Sequence, residues 1–260
     1  MTPVPSFPPD VAELPSGGRM PLLGFGTWQL RGDQVERAAA AALRSGYRHF
    51  DTATMYGNEA ELGRALAAGG VDRPELFVTT KLPAERASRP RQTIEDSLRL
   101  LQVSYVDLWL IHWPTGDDVT LWDAFVEARD DGLARDVGVS NFSLTQIDEL
   151  SASGTTPAVN QIRWSPLLFD RRVLDGHRER GVVLEGYSGL RGGTLEHPAI
   201  VSIAERIGRT PAQVILRWHL QHGVVAIPKS QDEQRIAANA DLAGFELSDE
   251  DMAQLDALGS

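Results

Sequence analysis

The chain has 260 residues, 36 acidic against 25 basic side chains, and no cysteine. Its length and 42% apolar share fit one large globular domain over 1–260, with no linker or composition break dividing it. A net charge of −11 without a basic stripe argues against nucleic acid as a partner, and the missing cysteines exclude disulfides, thiolate catalysis and cysteine metal sites.

No apolar run approaches the roughly 20 residues of a membrane span, so no membrane partner is expected. The opening "MTPVPSFPPD" lacks the basic region and apolar core of a signal peptide and reads as a loose arm over 1–10. A cytoplasmic location is the expectation. Next, "AELPSGGRMPLL" sets a Ser-Gly-Gly turn between two short runs, a hairpin placed to close one end of the domain.

Short apolar runs then alternate with amphipathic segments. "LLGFGTW" precedes "DQVERAAAAALRSG", where Asp33 is expected to cap the helix and Gly46 to end it. "YRHFDTA" precedes "NEAELGRALAAGG"; "ELFVTTKL" precedes "RPRQTIEDSLRLLQ"; "YVDLWLIHW" precedes "LWDAFVEARDDG". "ARDVGVSNF" leads to "LTQIDELSAS", "AVNQIRW" to "DRRVLDGHRERG", "VVLEGYS" to "PAQVILRWHLQHG", and "VVAIPKS" to "DEQRIAANA". Eight strand-and-helix units predict a closed (β/α)8 TIM barrel, its bottom closed by the N-terminal β-hairpin, with "HPAIVSIAERIG" and "SDEDMAQLDALG" as extra helices.

Nearly every strand ends in a polar or reactive group: Gly26-Thr27, Asp51, Lys81, His112, Ser140-Asn141, Gln161, Tyr187-Ser188 and Lys229-Ser230. In such a barrel these ends share one rim, where the chemistry sits. Only Lys81 and Lys229 are lysines, which leaves 23 arginines. Lysine is therefore expected to matter where it stands, because arginine cannot act as a compact, tunable ammonium.

Buried at a strand end, Lys81 needs a partner, and Asp51 is the candidate. Taken singly, Asp51 reads equally as a turn residue and Lys81 as an outward-reaching side chain. Tyr56, five residues beyond Asp51, becomes a general acid if the ammonium lowers its pKa, and otherwise is a surface aromatic. His112 reads as a core histidine or, beside the other three, as a neutral donor to a carbonyl oxygen. Trp28, Trp113 and Trp122 would supply apolar walls for substrate, and His49 reads as structural. No HExxH motif, nucleophile elbow or GxGxxG is present, so no metal site is expected. Lys229, Ser230, Arg235 and the early N–H groups of the helix after them read either as a solvated helix start or as an anion trap suited to the 2′-phosphate of NADP.

"LPSGGRMPLLGFGTW", "GYRHFDTATMYGNEAELG", "VTTKLP", "VDLWLIHWP", "GVSNFS", "VNQIRWSP", "GYSGL" and "TPAQVILRWHLQHGVVAIPKSQDEQR" together resemble the aldo-keto reductases over nearly the whole chain. The compact bacterial members, such as the 2,5-diketogluconate reductases, look most similar. This resemblance implies a catalytic tetrad of Asp51, Tyr56, Lys81 and His112, with NADPH delivering hydride to an aldehyde or ketone and Tyr56 protonating the oxygen. It implies Ser140, Asn141 and Gln161 on the nicotinamide carboxamide, Tyr187 stacked on the ring, and Ser188 and Leu190 over the pyrophosphate. Lys229, Ser230 and Arg235 would hold the 2′-phosphate, and Asn239 the adenine. A monomer acting on a small carbonyl compound is expected. The competing reading is a cofactor-binding scaffold or redox-sensing subunit on the same fold.

The chain departs from the family's pattern at three places. Arg163 and Trp164 replace an acidic residue and a residue preceding His-Pro, and Arg163 would attract an acid group if it faced the mouth. Gly189 stands where proline is usual, which would loosen the cofactor loop around Leu190. "LDALGS" lacks the long tail that shapes the pocket of many animal relatives, which implies a more open pocket.

Overall fold

A computed structural model describes residues 10–259, so the arm expected over 1–10 lies, except for Asp10, outside the described residues. Two short strands, β1 (Val11–Glu13) and β2 (Arg19–Pro21), pair antiparallel around Ser16-Gly17-Gly18. This is the expected hairpin. Ser16 hydrogen-bonds through its backbone N–H and hydroxyl to Asp136, near the amino end of a barrel strand, and Met20, Leu22 and Leu23 are buried beneath it.

Eight parallel strands come next: β3 (Gly24–Gly26), β4 (His49–Asp51), β5 (Phe77–Leu82), β6 (Val106–Ile111), β7 (Ala134–Ser140), β8 (Val159–Arg163), β9 (Val183–Tyr187) and β10 (Val225–Ala226). They pair in chain order, and the sheet closes through a parallel bridge between Leu23 and Ala226. Both faces of a barrel strand are covered, which is why β5 reads as six consecutive buried residues. β10 is shorter than its apolar run because Pro228 has no N–H to donate to the ladder.

Helices α1 (Asp33–Arg44), α2 (Glu59–Ala68), α3 (Pro90–Leu101), α4 (Asp118–Asp130), α5 (Leu144–Ser151) and α6 (Arg171–Glu179) each come after a strand. After β9 there are two, α7 (Pro198–Ile207) and α8 (Pro211–Gln221). α9 (Glu233–Ala240) succeeds β10, and α10 (Asp249–Asp256) ends the described chain. The expectation for α1 needs one correction. Asp33 is its first residue and caps nothing, because Gly32 takes the cap position at a φ of 48°, while Gly46 at 96° does end the turn.

The main core lies inside the barrel and between sheet and helices. A satellite core of Trp164, Phe169 and Trp218 packs under α10, whose Asp256 accepts hydrogen bonds from Trp218 and His222 and pairs with Arg171. Among the described residues no helix is long and apolar enough to cross a membrane.

Candidate active site

The carboxyl ends of the strands open into a cleft of about 740 Å³. Of the residues singled out in the sequence, Trp28, Asp51, Tyr56, His112, Trp113, Ser140, Asn141, Gln161, Tyr187, Ser188, Leu190, Lys229, Ser230, Arg235 and Asn239 line it. Lys81 lies beneath the lining, fully buried. Trp122 does not reach the cleft: it is fully buried near Phe125 and donates to the carbonyl of Thr155, because α4 turns its apolar face to the barrel. Arg163 is exposed at the end of β8 beside Gly192 and is not among the residues that line the cleft.

Asp51 and Lys81 project from β4 and β5 into the barrel. Lys81 Nζ donates to Asp51 Oδ1 at 2.7 Å, to Asp51 Oδ2 at 2.6 Å and to the carbonyl of Thr52 at 2.8 Å. Three acceptors match the three protons of an ammonium. Burial works against its charge, but Asp51, Tyr56 and Glu185 more than offset it, so the pKa of Lys81 rises.

Tyr56 rides on a tight turn, Thr54–Tyr56, that leaves β4. The turn is pinned on three sides. Thr54 Oγ1 donates to the carbonyl of Lys81 at 2.9 Å, Arg31 donates to the carbonyl of Tyr56 at 2.7 Å, and Asn58 Nδ2 donates to the carbonyls of Thr27 and Leu30. The Tyr56 ring sits 5.2 Å from Lys81 Nζ and meets the His112 ring edge-on at 5.8 Å.

The expected acidification of Tyr56 does not occur. Burial pushes the phenol above its ordinary value, Lys81 pulls it down, Asp51 and Glu185 push it up again, and the balance is upward. The ammonium is already shared with Asp51, so it limits the rise and does not reverse it. His112 is driven the other way, down to about 3, by burial first and by Lys81 second. Its imidazole is therefore neutral at physiological pH, and its Nδ1 has no partner among the described residues.

Beside this group lies a bank of amides and hydroxyls. Ser140 Oγ donates to the carbonyl of Gln161 at 2.8 Å, Asn141 Nδ2 donates to Ser140 Oγ at 2.9 Å, and Tyr187 OH donates to Asn141 Oδ1 at 2.8 Å. Asn141 and Ser188 hold left-handed backbones, φ 65° and 59°, which non-glycine residues rarely adopt. Such strain gathers where a site is built. Gly189 lets its loop lie on α8, since a Cβ there would stand 3.0 Å from the His219 ring and 3.3 Å from the carbonyl of Trp164.

The far end of the cleft is cationic. Lys229 is half-buried and makes no ion pair among the described residues; burial, Arg191 and Arg235 all lower its pKa. Ser230 Oγ accepts from the backbone N–H of Asp232 at 3.0 Å and faces Arg235 Nε at 3.4 Å. The early N–H groups of α9 are less free than anticipated, because the Asp232 carboxylate caps the helix and accepts from the backbone of Arg235 at 2.8 Å. The anion-binding capacity therefore rests on side chains.

Sequence reasoning missed three residues here. Met55 is 58% exposed and lines the cleft beside Trp28 and Trp113 at 43% and 51%, making an apolar mouth. Its signal was its place next to Tyr56. Arg191 packs on the Trp28 ring at 4.8 Å and donates to Gln29 at 2.8 Å, tying the loop after β9 to the loop after β3. An arginine in the glycine-rich "GLRGG" was the clue. Glu185 lies inside the barrel, two residues before Tyr187 and on the same face. Among the described residues no group of three or more His, Asp or Glu side chains is placed to hold a metal ion.

The open end of the closed parallel barrel thus holds a buried Asp51–Lys81 pair under a tyrosine and a neutral histidine. The sequence profile described as "Aldo/keto reductase family" matches residues 22–260, and the chain belongs to that family. An aldo-keto reductase of Mycobacterium sp. (strain KMS) is 43% identical over 252 residues, covering 94% of this chain and 91% of its own. Morphine 6-dehydrogenase of Pseudomonas putida is 44% identical over 268 residues, covering 94% and 90%. The crystal structure of an aldo/keto reductase from Brucella melitensis superposes with a TM-score of 0.92 at 37% identity, covering 97% of this chain and all of that one.

Proposed function

We propose that this protein reduces an aldehyde or ketone to an alcohol with NADPH, using Tyr56 as proton donor. The observation that carries the reading is the joint placement of Tyr56 and neutral His112 over the buried Asp51–Lys81 pair at one end of a cleft whose other end is cationic. The residues present fit such a cofactor. Lys229, Arg235 and Ser230 suit its 2′-phosphate, and half-buried Lys229 lacks an anion of its own. Ser188 and Leu190 would cover the pyrophosphate, Asn239 would meet the adenine, and Tyr187 would stack on the nicotinamide. Ser140, Asn141 and Gln161 would hold its carboxamide. When bound, the reduced nicotinamide supplies the two electrons and the hydrogen that reach the carbonyl carbon.

The chain's own contribution is binding, orientation and a proton. Trp28, Met55 and Trp113 exclude water around the substrate. Neutral His112 donates a hydrogen bond to the carbonyl oxygen and orients it. Tyr56 remains protonated at working pH because its pKa is raised, and it gives its proton to the alkoxide oxygen as charge develops there, an oxygen far more basic than a phenolate. Lys81, fixed by Asp51, faces the phenolate that remains and balances its charge.

The test is NADPH oxidation by the purified protein with a panel of aromatic aldehydes and small dicarbonyls, beside Tyr56→Phe. We expect turnover in the native protein and a loss of about 10²–10⁴ in kcat for the variant. Equal turnover in both would remove Tyr56 from the role. Binding of NADPH without turnover in either would favour a scaffold on the same fold.

A further inference from the structure

Glu185 is a second carboxyl buried within the barrel, and neither proton donation nor charge balance at Tyr56 gives it a task. Its side chain is fully buried. Gln161 Nε2 donates one hydrogen bond to Glu185 Oε2 and one to Asp51 Oδ2, each at 2.8 Å. Both amide protons of Gln161 are thereby spent, and its carbonyl Oε1 is left as the end available to the cleft it lines.

The other oxygen of Glu185, Oε1, makes no hydrogen bond among the described residues and lies 3.7 Å from His49 Nε2. His49 Nδ1 faces the carbonyl of Pro21 at 3.3 Å, which can only accept, so Nδ1 carries the ring proton and Nε2 offers a lone pair, which the Thr79 hydroxyl faces at 3.3 Å. A proton on Glu185 Oε1 would share that side of the ring with the Thr79 hydroxyl.

Among the described residues the one ammonium near it, Lys81, is already committed to Asp51. β4 contributes Asp51 and neutral His49, whose burial lowers its pKa to about 4; β5 contributes Lys81, already bonded twice to Asp51; Tyr56 is protonated. β8 contributes Gln161, and β10 contributes only Val225 and Ala226. His177 of α6 is bonded to Asn160, and His219 of α8 has its pKa lowered to about 4. An ionised Glu185 would be a second buried anion sharing one ammonium, which costs several-fold more than a neutral acid in the same place.

We propose that Glu185 is a positioning residue that carries a proton at neutral pH: it locks Gln161 with its carbonyl oxygen toward the cofactor and leaves Asp51 as the single anion opposite Lys81. The group at the Gln161 end of the cleft must then be a donor, as a carboxamide N–H is. This rests on the nicotinamide reading of the cleft. Burial, with Asp51 next, pushes the Glu185 carboxyl up to about 8, in keeping with the geometry.

Glutamine at this position reproduces the donor and acceptor pattern of the protonated acid and cannot ionise. Leucine removes the acceptor for Gln161. The experiment measures thermal unfolding of the cofactor-free protein from pH 5 to 9 and NADPH affinity by fluorescence titration, for wild type, Glu185→Gln and Glu185→Leu.

A carboxyl whose folded pKa is raised contributes stability below its unfolded value that is lost as pH climbs through the folded one. The Tm advantage of Glu185→Gln over wild type should therefore grow by at least about 5 °C between pH 5 and 8 and then level off. NADPH affinity should weaken in wild type as pH rises through about 8, but not in Glu185→Gln. Glu185→Leu should bind about tenfold more weakly, the worth of one lost hydrogen bond to a positioned amide. A Tm difference independent of pH, or an NADPH loss in Glu185→Gln as large as in Glu185→Leu, overturns the proposal. Should wild type bind no NADPH, the nicotinamide reading falls, and the unfolding curves alone decide the protonation of Glu185.

Discussion

The two lysines of the chain sit at opposite ends of one cleft, and their surroundings are opposite too. Lys81 is fully buried, its three protons are all taken, and its partners raise its pKa. Lys229 is half-buried, unpaired among the described residues, and has its pKa lowered by burial and two neighbouring arginines. One is a finished electrostatic unit that fixes geometry from within the fold. The other is an unfinished one whose missing partner is an anion from outside. Satisfied charge marks structure that supports chemistry; unsatisfied charge at a surface marks a place for a ligand.

The largest effect expected from disturbing this contrast is on stability at the buried end. Lys81→Met removes the only ammonium bonded to Asp51 and strands a buried carboxylate, so unfolding in denaturant should show a loss of about 3–5 kcal/mol. An unchanged midpoint would mean that Asp51 simply takes up a proton at no cost.

At the open end the effect falls on affinity. Lys229→Ala should weaken NADPH binding by about 10- to 100-fold, the range of a charge-assisted hydrogen bond, and leave NADH binding nearly unchanged. NADPH affinity in the native protein should also fall as salt is added, because exposed cations are screened. Titrations with both cofactors at two ionic strengths check this directly; equal losses for NADH and NADPH would move Lys229 away from the 2′-phosphate.

The smallest effect is a flat line. Burial holds His112 neutral to about pH 3 and holds the Tyr56 phenol above its ordinary value. A histidine with a depressed pKa gains its charge only at acid pH, so kcat should show no inflection near the ordinary histidine value, between about pH 5 and 7. An inflection there that vanishes in a His112 variant would show that the imidazole is exposed to water in the working complex.

Much of this was legible in the sequence, for identifiable reasons. Strand period and buried runs such as "FVTTKL" gave the barrel, and strand ends placed Asp51, Lys81, His112 and Gln161 on one rim because a parallel barrel has only one carboxyl end. Directions of individual side chains were harder. Trp122 looked available to the cleft, but it turned to the core on α4, and whether Arg163 would reach the cleft was not legible; it stands outside the lining.

Energetic balances were harder still. A lysine near a tyrosine suggested a more acidic phenol, yet the sign depends on how much of the ammonium's field Asp51 has already claimed and how deeply the ring is buried. Glu185 passed unnoticed in "VVLEGYS" because a lone acid in an apolar run gives no sign of which strand will face it. Its partners, Gln161 and His49, come from β8 and β4 and meet only inside the barrel.

The division of labour between the lysines can be tested in one comparison: steady-state kinetics and NADPH dissociation constants for wild type, Lys81→Arg and Lys229→Ala. Arginine keeps the charge at position 81 but overfills a slot shaped for an ammonium, so kcat should fall by about 10² or more while NADPH affinity stays within about threefold. Lys229→Ala should do the reverse, losing affinity and keeping kcat at saturating cofactor. If Lys81→Arg turned over at the native rate, or if both variants failed in the same constant, the account of two lysines with two tasks would be wrong.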